Sequence, residues 1–206
     1  IGTGTTVLSG NNTYTGGTTI AAGTLQLGNA GTTGSILGNV TNNGTLAFNR
    51  SDSLQFGGII SGAGTIRQIG SGLTNLTGDS SGFAGTTSVE AGTLAVNGRL
   101  CGDMNVIAGG RLQGTGTVCD TTNLAGGTIA PGNSIGTITV AGNYVGNGGL
   151  LQIETVLGGD ASPTDRLVVT GNTAGSTNVR VINVGGAGAQ TVEGIKVVDV
   201  GGASNG

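Results

Sequence analysis

The sequence predicts an all-β fold, a parallel β-helix in which about three short strands make up each turn. Three observations lead to this prediction. A Gly-x-Leu or Gly-x-Ile motif recurs along the chain with a mean spacing of 21 residues. Each copy begins a short segment that alternates apolar and polar residues or is apolar throughout, and alternation with period two indicates a β-strand. The composition is rich in Gly, Thr and Asn and poor in charge, as expected for a chain with many strands and many turns.

The recurring motif sets the repeat length. Its copies are Gly23-Thr24-Leu25, Gly44-Thr45-Leu46, Gly64-Thr65-Ile66, Gly92-Thr93-Leu94, Gly110-Arg111-Leu112, Gly127-Thr128-Ile129 and Gly149-Leu150-Leu151. The gaps between their third residues are 21, 20, 28, 18, 17 and 22 residues. A turn precedes the motif, as in Asn43-Gly44, and glycine gives the backbone the positive φ that a tight corner needs.

A longer internal match supports a repeated interior. Residues 14–25 align with residues 83–94 at an offset of 69. Inner positions keep an apolar side chain, as in the pair Leu25 and Leu94, whereas outer positions vary. This pattern is typical of stacked units that share one core.

Repeat length separates the candidate solenoids. About 21 residues is too short for a propeller blade of about 40 to 45 residues. A leucine-rich repeat has the right length, but its Leu-x-x-Leu-x-Leu-x-x-Asn frame and a helical period are both missing. In a parallel β-helix each strand pairs with the strand one turn away, about 4.8 Å off. Leu94 and Leu112 are therefore expected to lie one layer apart.

Composition and charge exclude several classes of protein. Glycine supplies 46 of 206 residues, but it does not recur at every third position as collagen requires. Charged residues make up only 8% of the chain, which argues against disorder. The basic residues are scattered singly, so we expect no nucleic-acid partner. No run approaches about 18 apolar residues, so we expect no membrane insertion.

The two cysteines predict a covalent link between turns. Cys101 and Cys119 each stand seven residues after a motif leucine, Leu94 and Leu112. Equivalent positions in neighbouring turns are about 4.8 Å apart, which a disulfide can span. We predict this disulfide and an oxidising compartment. The alternative is two free structural thiols; a zinc site is disfavoured because two cysteines without histidine supply too few ligands.

The sequence predicts no enzyme, with no catalytic residue, cofactor or metal. It contains no histidine, so Ser-His-Asp and Cys-His catalysis are not available. The segment 78–82, Gly-Asp-Ser-Ser-Gly, resembles a serine-protease nucleophile segment only superficially, because it lacks a base and lies in a repeat. A polysaccharide-cleaving β-helix is the rival interpretation. Asp103 and Asp120 are expected to share a face, but two acids at a turn more often form a solvated edge.

Two segments resemble a known family. Residues 8–28, which include Leu-Ser-Gly-Asn-Asn-Thr-Tyr-Thr-Gly-Gly-Thr-Thr-Ile and Ala-Gly-Thr-Leu-Gln-Leu-Gly, resemble the autotransporter-associated β-strand repeat. Residues 127–144, with Gly-Thr-Ile-Ala-Pro-Gly-Asn-Ser-Ile-Gly-Thr, resemble the end of a pertactin-like passenger, and segments 165–171 and 194–200 follow in the family's order. The resemblance implies a right-handed, single-stranded parallel β-helix (solenoid) with a C-terminal capping region.

The resemblance also implies a division within one continuous solenoid. Residues 1–126 would form repetitive β-helix coils, and residues 127–206 the C-terminal cap, or autochaperone-like region, that folds first outside the cell. The residues agree, because from about Leu150 the strand-like segments become longer and more β-branched, at 150–156, 166–169, 178–182 and 195–198. A solenoid end needs such a cap.

The function implied by the resemblance is that of a passenger exported through the periplasm and outer membrane to the bacterial cell surface or the medium. Its own C-terminal translocator β-barrel would be a partner during export, and we expect the chain to be a fragment without barrel or signal peptide. The leading hypothesis is a structural stem with adhesin-like binding to a host cell-surface receptor or matrix. The alternative is a shed host-receptor ligand of the growth-factor-like, angiogenic type. The 28-residue gap between Ile66 and Leu94 predicts a protruding contact loop.

Overall fold

The computed structural model describes residues 2–205, which form 24 β-strands and no helix. The first twelve strands are β1 (Thr5–Leu8), β2 (Thr18–Ile20), β3 (Thr24–Gly31), β4 (Val40–Asn42), β5 (Thr45–Arg50), β6 (Ser53–Phe56), β7 (Ile60–Ser61), β8 (Thr65–Gln68), β9 (Leu73–Leu76), β10 (Asp79–Ser80), β11 (Thr86–Val89) and β12 (Gly92–Val96). The others are β13 (Arg99–Leu100), β14 (Asp103–Val106), β15 (Gly110–Gly114), β16 (Thr117–Val118), β17 (Thr121–Leu124), β18 (Thr128–Pro131), β19 (Thr137–Val140), β20 (Tyr144–Val156), β21 (Arg166–Val169), β22 (Thr173–Gly185), β23 (Val198–Val200) and β24 (Ser204–Asn205).

The strands stack in parallel on three faces, so the predicted parallel β-helix is confirmed as a β-solenoid of about seven turns. The first face carries β1, β3, β5, β8, β11, β14 and β17, the first parts of β20 and β22, and β24. The second face carries β6, β9, β12, β15 and β18, followed by the later parts of β20 and β22. The third face carries β2, β4 and β7, then β10, β13, β16, β19, β21 and β23. No helix within residues 2–205 is long and apolar enough to cross a membrane.

The recurring motif places its third residue in the interior. All seven of these side chains are at most 3% exposed: Leu25, Leu46, Ile66, Leu94, Leu112, Ile129 and Leu151. Leu94 pairs directly with Leu112, one layer away, as predicted. Burying such a side chain contributes about 1.5 to 3 kcal/mol, and the stack of turns repeats that gain along the axis.

The motif copies do not share one face, and the predicted protruding loop is wrong. Ile66 lies on the first face and pairs with Thr87, one turn later. Leu94 follows Thr87 by seven residues and lies on the second face, where it pairs with Thr74. The 28-residue gap between Ile66 and Leu94 is therefore one full turn plus one face. The intervening residues form β8 to β12 in the body of the solenoid rather than a projection.

The corner between the third and first faces is built from glycine. Five glycines in successive turns stack there, which we name the glycine column: Gly23, Gly44, Gly64, Gly85 and Gly102. A Cβ atom on any of the last four would fall against the carbonyl oxygen of the glycine one turn before. Close approach of backbone to backbone therefore excludes a side chain at this corner.

The same corner is continued toward the C-terminus by side chains that accept hydrogen bonds from the following turn. Asp120 Oδ1 accepts from the Asn143 amide at 2.6 Å. Asn143 Oδ1 accepts from the Asn172 amide at 3.0 Å, and Asn172 Oδ1 accepts from the Ala203 amide at 2.8 Å. We name these residues the Asx column. They pair amides that would otherwise lack a partner where a new turn begins.

The C-terminal strands agree with the sequence in most places. Residues 150–156 lie in β20, residues 166–169 form β21, and residues 178–182 lie in β22. The strand predicted at 195–198 is misplaced, because β23 begins only at Val198. Residues 126 and 127 lie in the turn between β17 and β18, and both of these strands pair with β20, so the boundary between coils and cap stays a prediction.

Candidate adhesive surface and disulfide corner

The outer side of the first face carries an unbroken row of threonines. Thr5, Thr24, Thr45, Thr65 and Thr86 pair in succession from turn to turn, and we name them the threonine column. The last four are half-buried and Thr5 is exposed. Each is the first residue of its strand, and all except Thr5 come directly after a member of the glycine column. Part of this signal was present in the sequence, since Thr24, Thr45 and Thr65 are the middle residues of three motif copies.

The threonine column can act as a ladder of hydrogen-bonding groups. Each hydroxyl can both donate and accept, and the rungs repeat at about 4.8 Å. Arg67, on the same strand as Thr65, is neutralised by Glu90 through two short bonds of 2.7 and 2.6 Å. This pairing lowers the pKa of Glu90. From Thr5 to Thr86 the face therefore carries hydroxyls and little net charge. In the next turn Asp103 occupies the position that pairs with Thr86.

The two acidic residues singled out in the sequence lie together at the end of the threonine column. Asp103 and Asp120 occupy equivalent places in consecutive turns, one residue before the pair Met104 and Thr121. They border an open depression of about 370 Å³ with Asn143. Asp120 is committed to the Asn143 amide as part of the Asx column. No group of three or more metal-ligating side chains occurs within residues 2–205.

The segment that resembles a nucleophile loop is part of the turn structure. Ser80 is 3% exposed, and its Oγ accepts a hydrogen bond from the Ile60 amide at 2.8 Å. Asp79 accepts from the Ser81 amide at 3.0 Å, which closes the turn beside it. Ser80 is thus occupied in joining two turns, and it does not face solvent as a nucleophile must.

Cys101 and Cys119 occupy equivalent corners of neighbouring turns. Each follows directly after a third-face strand, in register with the pair Leu100 and Val118. Their Cα atoms are 4.7 Å apart, and a disulfide joins them. The bond closes a loop of 18 residues between two turns that are already hydrogen-bonded.

Replacing both cysteines with serine is expected to lower the free energy of unfolding by about 3 kcal/mol, because the unfolded chain regains the entropy of an open loop of this length. Denaturant melts of the oxidised protein and the Cys101→Ser/Cys119→Ser variant measure the difference. Thiol labelling of the denatured, unreduced protein provides the control. Two reactive thiols per chain in that experiment would contradict the bond.

The segment that carries the pertactin-like resemblance is held by one buried carboxylate. Asp165 is 1% exposed and accepts from the Gly136 amide at 2.9 Å and from the Glu154 amide at 2.8 Å. Burial raises the pKa of Asp165, although these two amides act in the opposite direction. The carboxylate thereby connects the Pro-Gly-Asn-Ser loop to β20. This role of Asp165 was not predicted from the sequence.

A second carboxylate holds the segment that leads into β23. Asp160 accepts from the amides of Val192 at 3.0 Å, Glu193 at 3.2 Å and Gly194 at 3.1 Å. These backbone hydrogen bonds, that of Glu193 foremost, hold the pKa of Asp160 below its ordinary value. A lowered pKa in the folded state means that the stabilisation is complete above the ordinary pKa near 3.8 and is lost as the pH falls through the lowered value.

Asp160→Asn is therefore expected to speed amide hydrogen exchange at Val192, Glu193 and Gly194 by about threefold at neutral pH. The effect is this small because the carboxylate is exposed and water screens its interaction with the amides. In the unchanged protein the same three amides should lose protection only in strong acid, after correction for intrinsic exchange. Glu193→Gln removes a neighbouring charge and leaves these bonds in place. Equal exchange rates in Asp160→Asn and the unchanged protein would contradict the assigned role.

Two family models identify the class of protein to which these stacked parallel turns belong. The model of the autochaperone domain type 1 matches residues 121–206. The model of the passenger-associated-transport-repeat matches residues 1–27 and 66–96. The chain belongs to the passenger domains of autotransporters, which are displayed on the bacterial surface or secreted through the outer membrane.

Three relatives illustrate the breadth of this class. The chain is 45% identical to the adhesin BmaC autotransporter of Brucella suis biovar 1 (strain 1330), an alignment that covers 98% of the chain and 6% of the relative. It is 46% identical to the autotransporter adhesin AIDA-I of Escherichia coli over 34% of the chain and 5% of that protein. It is 34% identical to an extracellular serine protease of Serratia marcescens over 50% of the chain and 10% of that protein. The chain thus spans only a small part of each relative.

Proposed function

We propose that this part of the passenger is an adhesive and non-enzymatic stem, and that the threonine column makes the contact with a host cell-surface receptor or matrix. The observation that carries the proposal is the uninterrupted pairing of five threonines on one nearly uncharged face. Such a row can form many weak hydrogen bonds at once to a polar partner, and linked weak contacts add up to firm attachment.

The comparisons support an adhesive role over an enzymatic one. Two of the three relatives are named adhesins, and one of them aligns with nearly the whole chain. The serine protease relative aligns with half of the chain. Ser80 is buried and accepts a hydrogen bond from the Ile60 amide, which favours a scaffold role for residues 78–82.

Attachment of beads coated with the protein to host cells and to matrix proteins tests this proposal. Thr45→Lys/Thr65→Lys adds two bulky cations to the threonine column and is expected to reduce attachment at least threefold, because the charges and their hydration interrupt the hydroxyl row. Thr41→Lys/Ser61→Lys is the control, since these two residues also pair directly between adjacent turns but lie on the third face.

The possible results of this experiment distinguish a wrong contact surface from a wrong function. Attachment that survives both double variants would reject the threonine column as the contact. Absence of attachment by the unchanged protein would reject the adhesive function itself. Host-cell signalling by the soluble protein without attachment would favour the shed-ligand hypothesis, and cleavage of acidic polysaccharides would favour an enzyme.

A further inference from the structure

Four asparagines of the chain stand directly before a glycine: Asn43, Asn97, Asn147 and Asn205. An asparagine in this position can lose its side-chain amide without an enzyme, because the backbone nitrogen of the next residue reaches its Cγ and glycine has no Cβ to hinder the attack. The structure describes both residues of the first three pairs, whereas Gly206 lies outside the described residues. The three described pairs differ in their surroundings, and the difference predicts which of them reacts.

Asn97 is held at both ends of its side-chain amide. Its Nδ2 donates to Asn75 Oδ1 at 2.8 Å, and its Oδ1 accepts from the Thr115 amide at 3.0 Å. The Gly98 amide, whose nitrogen would have to attack, donates to the carbonyl oxygen of Leu76 at 3.1 Å. These bonds must break before the side chain and the nitrogen can meet, so the fold protects this pair.

Asn43 is exposed, but the glycine that follows it belongs to the glycine column. Its Oδ1 accepts a hydrogen bond from the Ala63 amide at 3.3 Å. The backbone of Gly44 is enclosed on both sides, because a Cβ atom on Gly44 would fall against the carbonyl oxygen of Gly23, and one on Gly64 would fall against that of Gly44. Ring closure at this corner requires the backbone to rotate where the neighbouring turns leave no room.

Asn147 stands at a β-bulge and is exposed. Within residues 2–205, no side-chain hydrogen bond involves its amide. The register of β20 with β22 passes from Asn147 directly to Leu150, so Gly148 and Gly149 are the extra residues of the bulge. Gly148 has a φ of +78°, and a Cβ atom there would make only ordinary contact with Ala125, at 3.5 Å. The backbone at this pair therefore has the room to rotate that the other two pairs lack.

We propose that Asn147 is a site of spontaneous deamidation in the folded protein. The Gly148 amide nitrogen gives its proton to hydroxide and attacks Asn147 Cγ, so that a C–N bond forms and the side-chain nitrogen leaves as ammonia. Water then opens the resulting succinimide ring by breaking one of its two C–N bonds, which leaves aspartate or isoaspartate. No electrons are transferred, and the reaction consumes one water and releases one ammonia.

Deamidation changes both the charge and the backbone of this strand. Asn147 lies two residues after Val145, which borders the depression formed by Asp103 and Asp120, and the product adds a negative charge to the same strand. Isoaspartate also inserts one methylene group into β20, between its pairs with β17 and with β22. The reaction needs no partner and is independent of the adhesive proposal.

Incubation of the full chain in mildly alkaline buffer, followed by peptide mapping with mass spectrometry, tests the proposal. Conversion at Asn147 should be at least about tenfold faster than at Asn97 or Asn43, because only the latter two need the fold to open locally before the ring can close. The same chain unfolded in guanidinium chloride is the control. There the three rates should agree within about threefold, since the three sites share the Asn-Gly sequence and the protection is lost.

Two variants assign the charge change to one residue. Asn147→Gln should prevent the acidic form of the intact protein from appearing in ion-exchange chromatography, because glutamine would have to close a less favourable six-membered ring. Asn43→Gln, at a site that is also exposed, should leave the acidic form unchanged.

Three results would overturn the proposal. The first is conversion of Asn97 or Asn43 as fast as Asn147 in the folded protein. The second is an unreacted Asn147 in the folded protein under conditions in which the unfolded chain reacts. The third is a preference for Asn147 that persists unchanged in the unfolded chain, since the flanking sequence rather than the bulge would then be its cause.

Discussion

Gly85→Ala is expected to lower the free energy of unfolding by about 3 kcal/mol, at the upper end of what overpacking costs in a close-packed interior. The added methyl group would fall on the carbonyl oxygen of Gly64, one turn before, and neither backbone can withdraw without breaking strand pairs on both sides. Denaturant melts followed by circular dichroism measure the loss. The backbone of Gly85 is not in the left-handed region, so the effect comes from contact rather than from conformational preference.

Gly82→Ala is the matched control for this prediction. Gly82 lies three residues earlier, and a methyl group there would meet no atom within 4 Å. Both substitutions restrict the unfolded chain in the same way, so their difference isolates the collision. We expect Gly82→Ala to change stability by no more than about 0.5 kcal/mol. Similar melts for the two variants would show that the glycine column is not a steric requirement.

Deleting residues 150–206 is expected to abolish the cooperative unfolding of what remains, and residues 1–126 should be poorly folded. The deletion removes most of β20 and all of β22, which are 13 residues each and pair along most of their length. It also uncovers the motif layer at Ile129, which pairs with Leu151. In a solenoid each turn depends on its neighbours, and ordering each residue costs about 1 to 2 kcal/mol of entropy.

A deletion of the same length from the other end is the control. Removing residues 1–57 also takes away several turns but leaves the region matched by the autochaperone model complete. We expect this shorter protein to keep a cooperative thermal transition and resistance to protease. If the protein that lacks residues 150–206 melts like the full chain, the C-terminal region does not act as a folding cap.

Much of the fold could be predicted because the interior follows a simple rule. Leu94 and Leu112 are one layer apart, as the repeat indicates, since inward positions must be apolar and corners must be small. The assignment to faces could not be predicted. Leu25 lies on the first face and Leu94 on the second, although they are equivalent in the internal match of the sequence. The three faces share the same alternation and the same glycine corners, so the sequence pattern cannot tell them apart.

The candidate surfaces were less accessible to sequence reasoning. Thr45 and Thr65 each appear in a visible motif, but only the register shows that they form one row with Thr86, which lies outside any motif copy. The role of Asp165 depends on two amides that are 29 and 11 residues away in the chain. Distant partners of this kind leave no local pattern. The pairing of Cys101 with Cys119 is different, because both positions are fixed by the same seven-residue offset.

The Asx column gives the solenoid axis a chemical direction. In every link the side-chain oxygen belongs to the earlier turn and the amide to the later one, as for Asn143 and Asn172. If the C-terminal turns form first, the N-terminal end of the partly folded solenoid exposes an amide that still lacks its side-chain acceptor. The next turn to fold supplies the oxygen that accepts this hydrogen bond. Over the three links of this column, each turn added toward the N-terminus would satisfy one further amide donor.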